Sequence, residues 1–143
     1  MSMNAEQNKN LVSRVMDEVM NKGNLSIANQ FLAPDFVNHD FPMAKPGPDE
    51  FAKILQMFLT GFPDMHVTPE DSVAEGDRVF TRGFFTGTHK GAFQGIPPTG
   101  KKINVKYMDE WCIKNGKATD NWVRLDMLDL MQQLGVVPRP STP

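Results

Sequence analysis

The stretch Lys117–Gly135, KATDNWVRLDMLDLMQQLG, changes its periodicity halfway along. Polar and apolar residues alternate as far as Leu125, which is typical of a β-strand, whereas apolar residues recur at helical spacing from Leu128 to Leu134. Gly135 is suited to end that helix. Asp126 lies at the junction between the two patterns. It is either an acid at the end of a sheet strand, a common position for acid/base chemistry, or an ordinary helix N-cap.

Length and charge limit the possible classes of protein. The chain has 143 residues, enough for one domain with a real core, and its net charge of −2 comes from interspersed acids and bases. This charge pattern does not favour a nucleic-acid or membrane partner. No apolar run approaches the length of a membrane span, and the N-terminal MSMNAEQNKN has no apolar signal core. The sequence therefore predicts a cytoplasmic protein.

Helical patterns come first along the chain and strand patterns second. Helices are predicted from Asn4 to Gly23, from Leu25 to Leu32 and from Pro48 to Gly61, and strands over 65–75, 78–89, 103–113 and 117–125, with an extended segment at 36–40. This order predicts an α+β domain with a mostly antiparallel sheet and a short C-terminal helix. Its bounds are 1–135, and 136–143 form a proline-rich tail.

The Asn115-Gly116 turn decides which side chains share a face of the sheet. A two-residue loop pairs Lys114 with Lys117, whereas a three-residue loop with a bulge at Gly116 pairs Ile113 with Lys117. We favour the three-residue loop because it separates a mixed polar face from a mostly apolar one. The mixed face would carry Met108, Glu110, Cys112, Asp120, Trp122, Arg124 and Asp126; the apolar face would carry Val105, Tyr107, Trp111, Ile113, Val123 and Leu125.

Neither face looks freely solvated, and each is therefore expected to be covered. We expect the chain's own helices to enclose a cavity over the mixed polar face. The apolar face carries aromatic residues that one short domain would leave exposed, so a homodimer through that face is expected.

Four stretches resemble the SnoaL-like polyketide cyclase, or ester cyclase, family. They are LAPDFVNHD (32–40), GFPDMHVTPEDSVAEGDRV (61–79), GTHKGAFQGIPPTGKK (87–102) and WVRLDMLDLMQQLG (122–135). The resemblance implies the NTF2-like fold, a cone of helices over a curved sheet with a deep pocket, usually dimeric through the sheet. It also implies closure of a polyketide ring by intramolecular aldol condensation without a cofactor.

The resemblance carries over to particular residues. It implies that Asp126 is the general acid/base and that Asn38 and Asp40 lie near it. Glu110 and Cys112 stand where the characterised cyclases have Gln and His. This exchange removes a neutral hydrogen-bond donor and adds a negative charge, and both changes disfavour an anionic intermediate unless a neighbour compensates.

Further side chains are candidates for contacts with a ligand. His39 would orient Asp40 or line the pocket, and His89 would either touch the ligand or hold the glycine-rich loop that follows it. Met108 and Trp122 suit a wall for an apolar ligand, with Arg124 beside them as a compensating charge. No spacing such as HxH or HExxH is present, and the single cysteine cannot form a thiolate cluster, so no metal is expected. The family resemblance implies that no cofactor is needed.

Three functions are compatible with these residues. The first is a cofactor-independent cyclase or isomerase that acts on a small apolar carbonyl compound, with proton transfer by Asp126. The second is a non-catalytic protein that binds an apolar ligand, and the third is a hydrolase that uses Asp-activated water. A polar cluster around Asp126 at the base of a pocket would favour an enzyme. Contacts of Asp126 with backbone amides alone would favour the binding protein.

Overall fold

The computed structural model describes residues 4–141 and confirms an α+β architecture. Its α-helices are α1 (Ala5–Arg14), α2 (Pro48–Gly61) and α3 (Met127–Leu134); α1 continues as a π-helical segment, Val15–Asn21, and a 3-10 helix spans Leu25–Gln30. The strands are β1 (Leu32–Asn38), β2 (His66–Glu75), β3 (Arg78–Thr88), β4 (Lys102–Lys114) and β5 (Lys117–Leu125). Residues 1–3 and the last two residues of the predicted tail lie outside the described part.

The five strands form one sheet in the order β1-β5-β4-β3-β2. Only β1 and β5 run parallel, and the other neighbours are antiparallel. Irregular registers in the β2–β3 and β4–β5 pairs mark bulges, which bend the sheet locally. Within residues 4–141, no helix is both long and apolar enough to cross a membrane.

Local signals in the sequence set the ends of the helices. Asn4 and Gln7 form the predicted capping box at the start of α1. Pro48 occupies the first turn of α2. Gly135 ends α3 in the left-handed conformation, with φ 82°.

The hairpin between β4 and β5 differs from the prediction. Asn115 and Gly116 have φ values of 51° and 77°, which fits a two-residue type I′ turn, and Lys114 pairs with Lys117. The predicted three-residue loop is therefore wrong. Thr119 then forms a bulge, beyond which Cys112 pairs with Asp120 and Glu110 with Trp122. The bulge moves the register by one residue, so the predicted division of side chains between the two faces still holds beyond it.

The helices cover the apolar face of the sheet, not the mixed polar one. Val105 and Trp111 on the inner face are fully buried, whereas Met108 on the outer face is 62% exposed. The apolar stripes of α1, its π-helical continuation and α2 form one core with the inner face. The prediction that the helices cover the mixed polar face is thus wrong. Burial of apolar area decides this arrangement, because both helix stripes and the inner face need apolar partners.

The bulge in β2 depends on the close approach of the Thr68 carbonyl group to Gly83. Asp71 pairs with Arg82 and Pro69 with Gly83, so Glu70 is the extra residue. A Cβ atom at position 83 would lie 2.0 Å from the carbonyl oxygen of Thr68, a backbone atom that cannot rotate away.

We expect Gly83→Ala to lower the free energy of unfolding by roughly 1–3 kcal/mol, because the β2–β3 pairing must open to admit the methyl group. Urea unfolding followed by circular dichroism measures this change. The matched control is Arg82→Ala, which removes only exposed ion pairs to Glu70 and Asp71 and should cost less than about 1 kcal/mol. An equal loss in the free energy of unfolding in both variants would contradict the requirement for glycine at this position.

Candidate active site

A cavity of about 90 Å³ lies between the helices and the inner face of the sheet. Its polar lining residues are Asn38, Tyr107, Asp109 and Asn121. The rest of the lining is apolar and includes Met16, Met20, Met65, Phe51, Phe58 and Trp111. An apolar enclosure with a few convergent polar groups is the usual form of a small-molecule site.

Asp109 is the one carboxylic acid in this lining. It lies in the middle of β4, opposite Thr81 on β3 and Val123 on β5, and only 9% of its surface is exposed. The Thr81 hydroxyl donates a 2.5 Å hydrogen bond to Oδ1 of Asp109. Burial raises the pKa of Asp109 to about 7, against the smaller, opposing effect of its hydrogen bond with Thr81. A carboxyl group with this pKa is suited to both accept and donate a proton near neutral pH.

The hydrogen bonding of Asp109 extends to a tyrosine. The Tyr107 hydroxyl lies 3.2 Å from Thr81 Oγ1 and 3.8 Å from the sulfur of Met16. Burial raises the pKa of Tyr107 to about 12, so its hydroxyl stays protonated at neutral pH. Thr81 therefore holds the Asp109 carboxyl and Tyr107 lies against Thr81, and neither residue adds a charge to the cavity.

Asn38 lines the cavity, but its amide is used to shape the site. Its Nδ2 donates to Oδ1 of Asn121 at 2.8 Å, and its Oδ1 accepts from the backbone N–H groups of Asp40 and Phe41. Asn121 in turn donates to the carbonyl oxygen of Glu110 at 3.1 Å. These bonds join the end of β1 to β5 and turn the following chain towards the outer face.

Asp126 is an exposed N-cap of α3. Its Oδ1 accepts a 3.0 Å hydrogen bond from the backbone N–H of Asp129, and the residue does not line the cavity. Of the two arrangements considered for Asp126, the structure shows the contact with a backbone amide and not a polar cluster at the base of this cavity. The physical reason is the register of β5: Asp126 follows the outward-facing Arg124 by two residues, so it continues the outer face.

Asp40 and Arg124 form an ion pair on the outer side of β5. The Asp40 carboxylate also accepts a 2.6 Å hydrogen bond from the backbone N–H of Val123. His39 stacks on Trp122 with ring centroids 4.5 Å apart, and its Nε2 lies 2.8 Å from Asp120. Neither Asp40, His39, Trp122 nor Arg124 lines the cavity. The predicted ligand contacts of these side chains are therefore not at this cavity, because the mixed polar face points away from the helices.

Met108, Glu110 and Cys112 belong to the same face and are likewise absent from the cavity lining. Glu110 pairs with Arg78 at 2.6 Å. Cys112 is buried near the hairpin, with its sulfur 3.7 Å from an Asp77 carboxylate oxygen. They too lie on the face that points away from the helices and this cavity.

His89 holds the glycine-rich loop. Its Nδ1 accepts a 3.2 Å hydrogen bond from the backbone N–H of Thr99, and its own backbone bonds to Gly100 and Lys101. The ring is fully buried against Phe62 and does not line the cavity. Of its two predicted roles, the structure supports the structural one. Residues 4–141 contain no cluster of three or more His, Cys, Asp or Glu side chains that could hold a metal ion.

The sequence reasoning missed Asp109, and with it Tyr107, Trp111 and Asn121 as cavity residues. A signal was present: Asp109 is a lone acid at an inward position within the apolar alternation of Ile103–Ile113. Burying an acid is costly unless it is hydrogen-bonded or protonated, so an acid among inward apolar positions marks a residue to consider for a functional site.

Asp109 should make stability depend on pH. Because its folded pKa of about 7 exceeds the ordinary aspartate value of 3.8, the folded state holds the proton more tightly than the unfolded state. Protonated Asp109 therefore contributes its full share to the free energy of unfolding below about pH 4, and this contribution is lost as the pH rises through about 7. We expect the free energy of unfolding to fall by roughly 2–4 kcal/mol between pH 5 and pH 8.

The matched control for this measurement is Asp109→Asn, which keeps an oxygen for Thr81 but cannot ionise. Denaturant unfolding at both pH values should show most of the loss in the wild type and little in the variant. A loss of equal size in both proteins would contradict an elevated pKa at Asp109.

Comparison with known proteins shows the family of this chain. The model of the SnoaL-like polyketide cyclase family matches residues 10–134. The structure of TsrD from Streptomyces laurentii superimposes with a TM-score of 0.86 at 24% identity, over 95% of this chain and all of that one. No protein with a curated description matches the chain.

Two further structures share more of the sequence. IdmH from Streptomyces antibioticus, described as a candidate polyketide cyclase, is 29% identical, with a TM-score of 0.78 over 91% of this chain and 99% of that one. AclR from Streptomyces galilaeus, described as a candidate hydroxylase, is 27% identical, with a TM-score of 0.82 over 96% of this chain and 87% of that one. The chain belongs to the SnoaL-like polyketide cyclase family, with the NTF2-like fold.

Proposed function

We propose that the protein is a cytoplasmic, cofactor-independent cyclase or isomerase that acts on a small apolar carbonyl compound. Family membership and the likeness to a candidate cyclase support the reaction class. The single observation that carries the mechanism is the buried Asp109 carboxyl, held by Thr81 in a mostly apolar cavity. We assign the proton transfer to Asp109 instead of Asp126 or Asp40.

The proposed chemistry begins with a C–H group flanked by carbonyl groups. Asp109 as carboxylate takes this proton, and the electron pair of the C–H bond becomes an enolate. The enolate carbon then attacks a second carbonyl of the same molecule in a cyclase, or takes a proton back at another carbon in an isomerase. A C–H between two carbonyls is acidic enough for a carboxylate of raised pKa, and such a base contributes typically 10²–10⁴-fold to a rate.

The size of the cavity limits the substrate. A volume of about 90 Å³ is below the 300 Å³ or more of most ligand sites, so a large ligand requires the walls to move. Met16, Met20 and Met65 line the cavity, and unbranched thioether side chains repack at low cost. We therefore expect compact substrates to be accepted first.

A second candidate function is binding without turnover. Two observations favour it. Within residues 4–141, the Asp126 carboxylate accepts a hydrogen bond only from the backbone N–H of Asp129. The cavity amides of Asn38 and Asn121 bond to each other and to backbone groups. Such a cavity offers few polar contacts that could orient a reacting molecule.

We also propose that the protein forms a homodimer through the outer face of the sheet, in place of the apolar face expected from the sequence. Phe80 and Met108 are 50% and 62% exposed there, between ion pairs such as Arg78–Glu110 and Arg82–Glu70. A surface that carries charges of both signs beside apolar side chains suits a two-fold contact with itself.

We expect Met108→Glu to convert a dimer into a monomer in analytical ultracentrifugation. A wild-type monomer at about 10 µM would overturn the proposal.

The test of the proposed function is the exchange of an acidic C–H. Wild-type protein should speed the replacement of the C3 hydrogen of 3-methylpentane-2,4-dione by solvent deuterium, and proton NMR follows the loss of this signal. We expect Asp109→Asn to lower the enzymatic rate by at least about 100-fold. The rate of the wild type should rise with pH and level off above about 7, as Asp109 ionises.

The matched control is Asp126→Asn, which retains the N-cap acceptor for the Asp129 N–H. We expect this variant to keep the wild-type rate. Loss of exchange in Asp126→Asn with full activity in Asp109→Asn would overturn the assignment of the base. Ligand binding by NMR without any protein-dependent exchange would favour the binding protein.

A further inference from the structure

The indole N–H of Trp111 is a buried donor that lacks a hydrogen-bond partner. Trp111 is fully buried, and none of residues 4–141 accepts a hydrogen bond from its Nε1. An unpaired buried N–H is unfavourable, so such a group in a native structure calls for an explanation. The residue lines the cavity that contains Asp109.

Strand geometry places Trp111 beside the proposed base. Asp109 and Trp111 are two residues apart on β4, so both side chains project from the inner face of the sheet. The indole N–H is close enough to lower the pKa of Asp109, although its geometry falls short of a hydrogen bond. A donor and an acid therefore lie side by side in one apolar cavity.

The indole ring is held in a fixed orientation. Phe36 stacks on it with centroids 6.2 Å apart, and Phe51 packs edge-on at 6.4 Å. The other polar groups of the cavity wall are engaged, since Asn38 bonds to Asn121 and Tyr107 lies against Thr81 and Met16. Trp111 Nε1 is thus the pre-oriented donor of the cavity that a ligand could use without breaking an existing bond.

We propose that Trp111 Nε1–H binds the carbonyl oxygen of the ligand and stabilises the negative charge that this oxygen gains when Asp109 removes the neighbouring proton. The C–H proton moves to the Asp109 carboxylate, the C–H electron pair forms a carbon–carbon double bond, and the carbonyl π electrons move to the oxygen. That oxygen then accepts the indole hydrogen bond. A donor aimed at the developing oxyanion stabilises the transition state more than the ground state.

The inference rests on the proposed function for the reaction, but it can be tested by binding alone. The sequence contains only two tryptophans, Trp111 and Trp122, so a proton–nitrogen NMR spectrum resolves two indole signals. Trp122→Phe assigns them. The probes are cyclopentanone and methylenecyclopentane, which have nearly the same shape but differ in the carbonyl oxygen.

We expect cyclopentanone to move the Trp111 indole proton downfield, and methylenecyclopentane to leave it near its original position. Trp111→Phe keeps an aromatic ring without the donor, and it should weaken cyclopentanone binding roughly three- to ten-fold while changing methylenecyclopentane binding little. The shift in the wild type provides the test if that variant does not fold.

The possible failures can be told apart. A Trp111 signal that stays in place at saturating cyclopentanone, equal effects of the two probes, or no cyclopentanone binding would each overturn the inference. A downfield shift without any exchange of the dione's hydrogen would support the donor role while the proposed function fails. Exchange that depends on Asp109 but is unaffected in Trp111→Phe would support the proposed function and overturn the inference.

Discussion

The site depends on one constraint: a single carboxyl group is buried between the sheet and the apolar side chains of the helices. Asp109 lies on the inner face of β4, where every other feature of the packing favours apolar side chains. The fold tolerates the acid because Thr81 bonds to it and because its raised pKa allows it to be neutral near pH 7. The same desolvation that makes the group unfavourable for stability makes it a suitable proton acceptor.

The alternation of side chains along β4 separates the cavity residues from the charged outer surface of the sheet. Asp109 and Trp111 project inwards, whereas their neighbours Met108 and Glu110 project outwards to a surface rich in ion pairs. The bulge at Thr119 keeps this alternation aligned between β4 and β5 after a two-residue turn. One residue more or less in the hairpin would exchange the inner and outer sets, so the site depends on the turn and the bulge together.

Most of the fold was predictable from the sequence because its signals are local. The capping box at Asn4, the turn at Asn115-Gly116 and the stop at Gly135 each act through neighbouring backbone groups. The site was not predictable in the same way. Asp126 has the same local pattern whether it caps a helix or faces a pocket, and the three-residue loop and the choice of the covered face were wrong. Which face the helices cover is decided by the total apolar area, a property of the whole chain.

The family relationship and the geometry bear on different questions. Membership in the SnoaL-like polyketide cyclase family concerns the fold and the class of chemistry, whereas the residues that act must be found in this chain's own cavity. Here the cavity contains an acid and a free donor on adjacent inward positions of β4, and the exposed N-cap Asp126 lies elsewhere.

The most direct test of this account is the pKa of Asp109 itself, measured from the carboxyl carbon signal of selectively labelled protein during an NMR pH titration. Asp109→Asn identifies the signal. The account predicts a midpoint near 7 in the folded protein. A midpoint near 4, the value of an ordinary solvated aspartate, would contradict it.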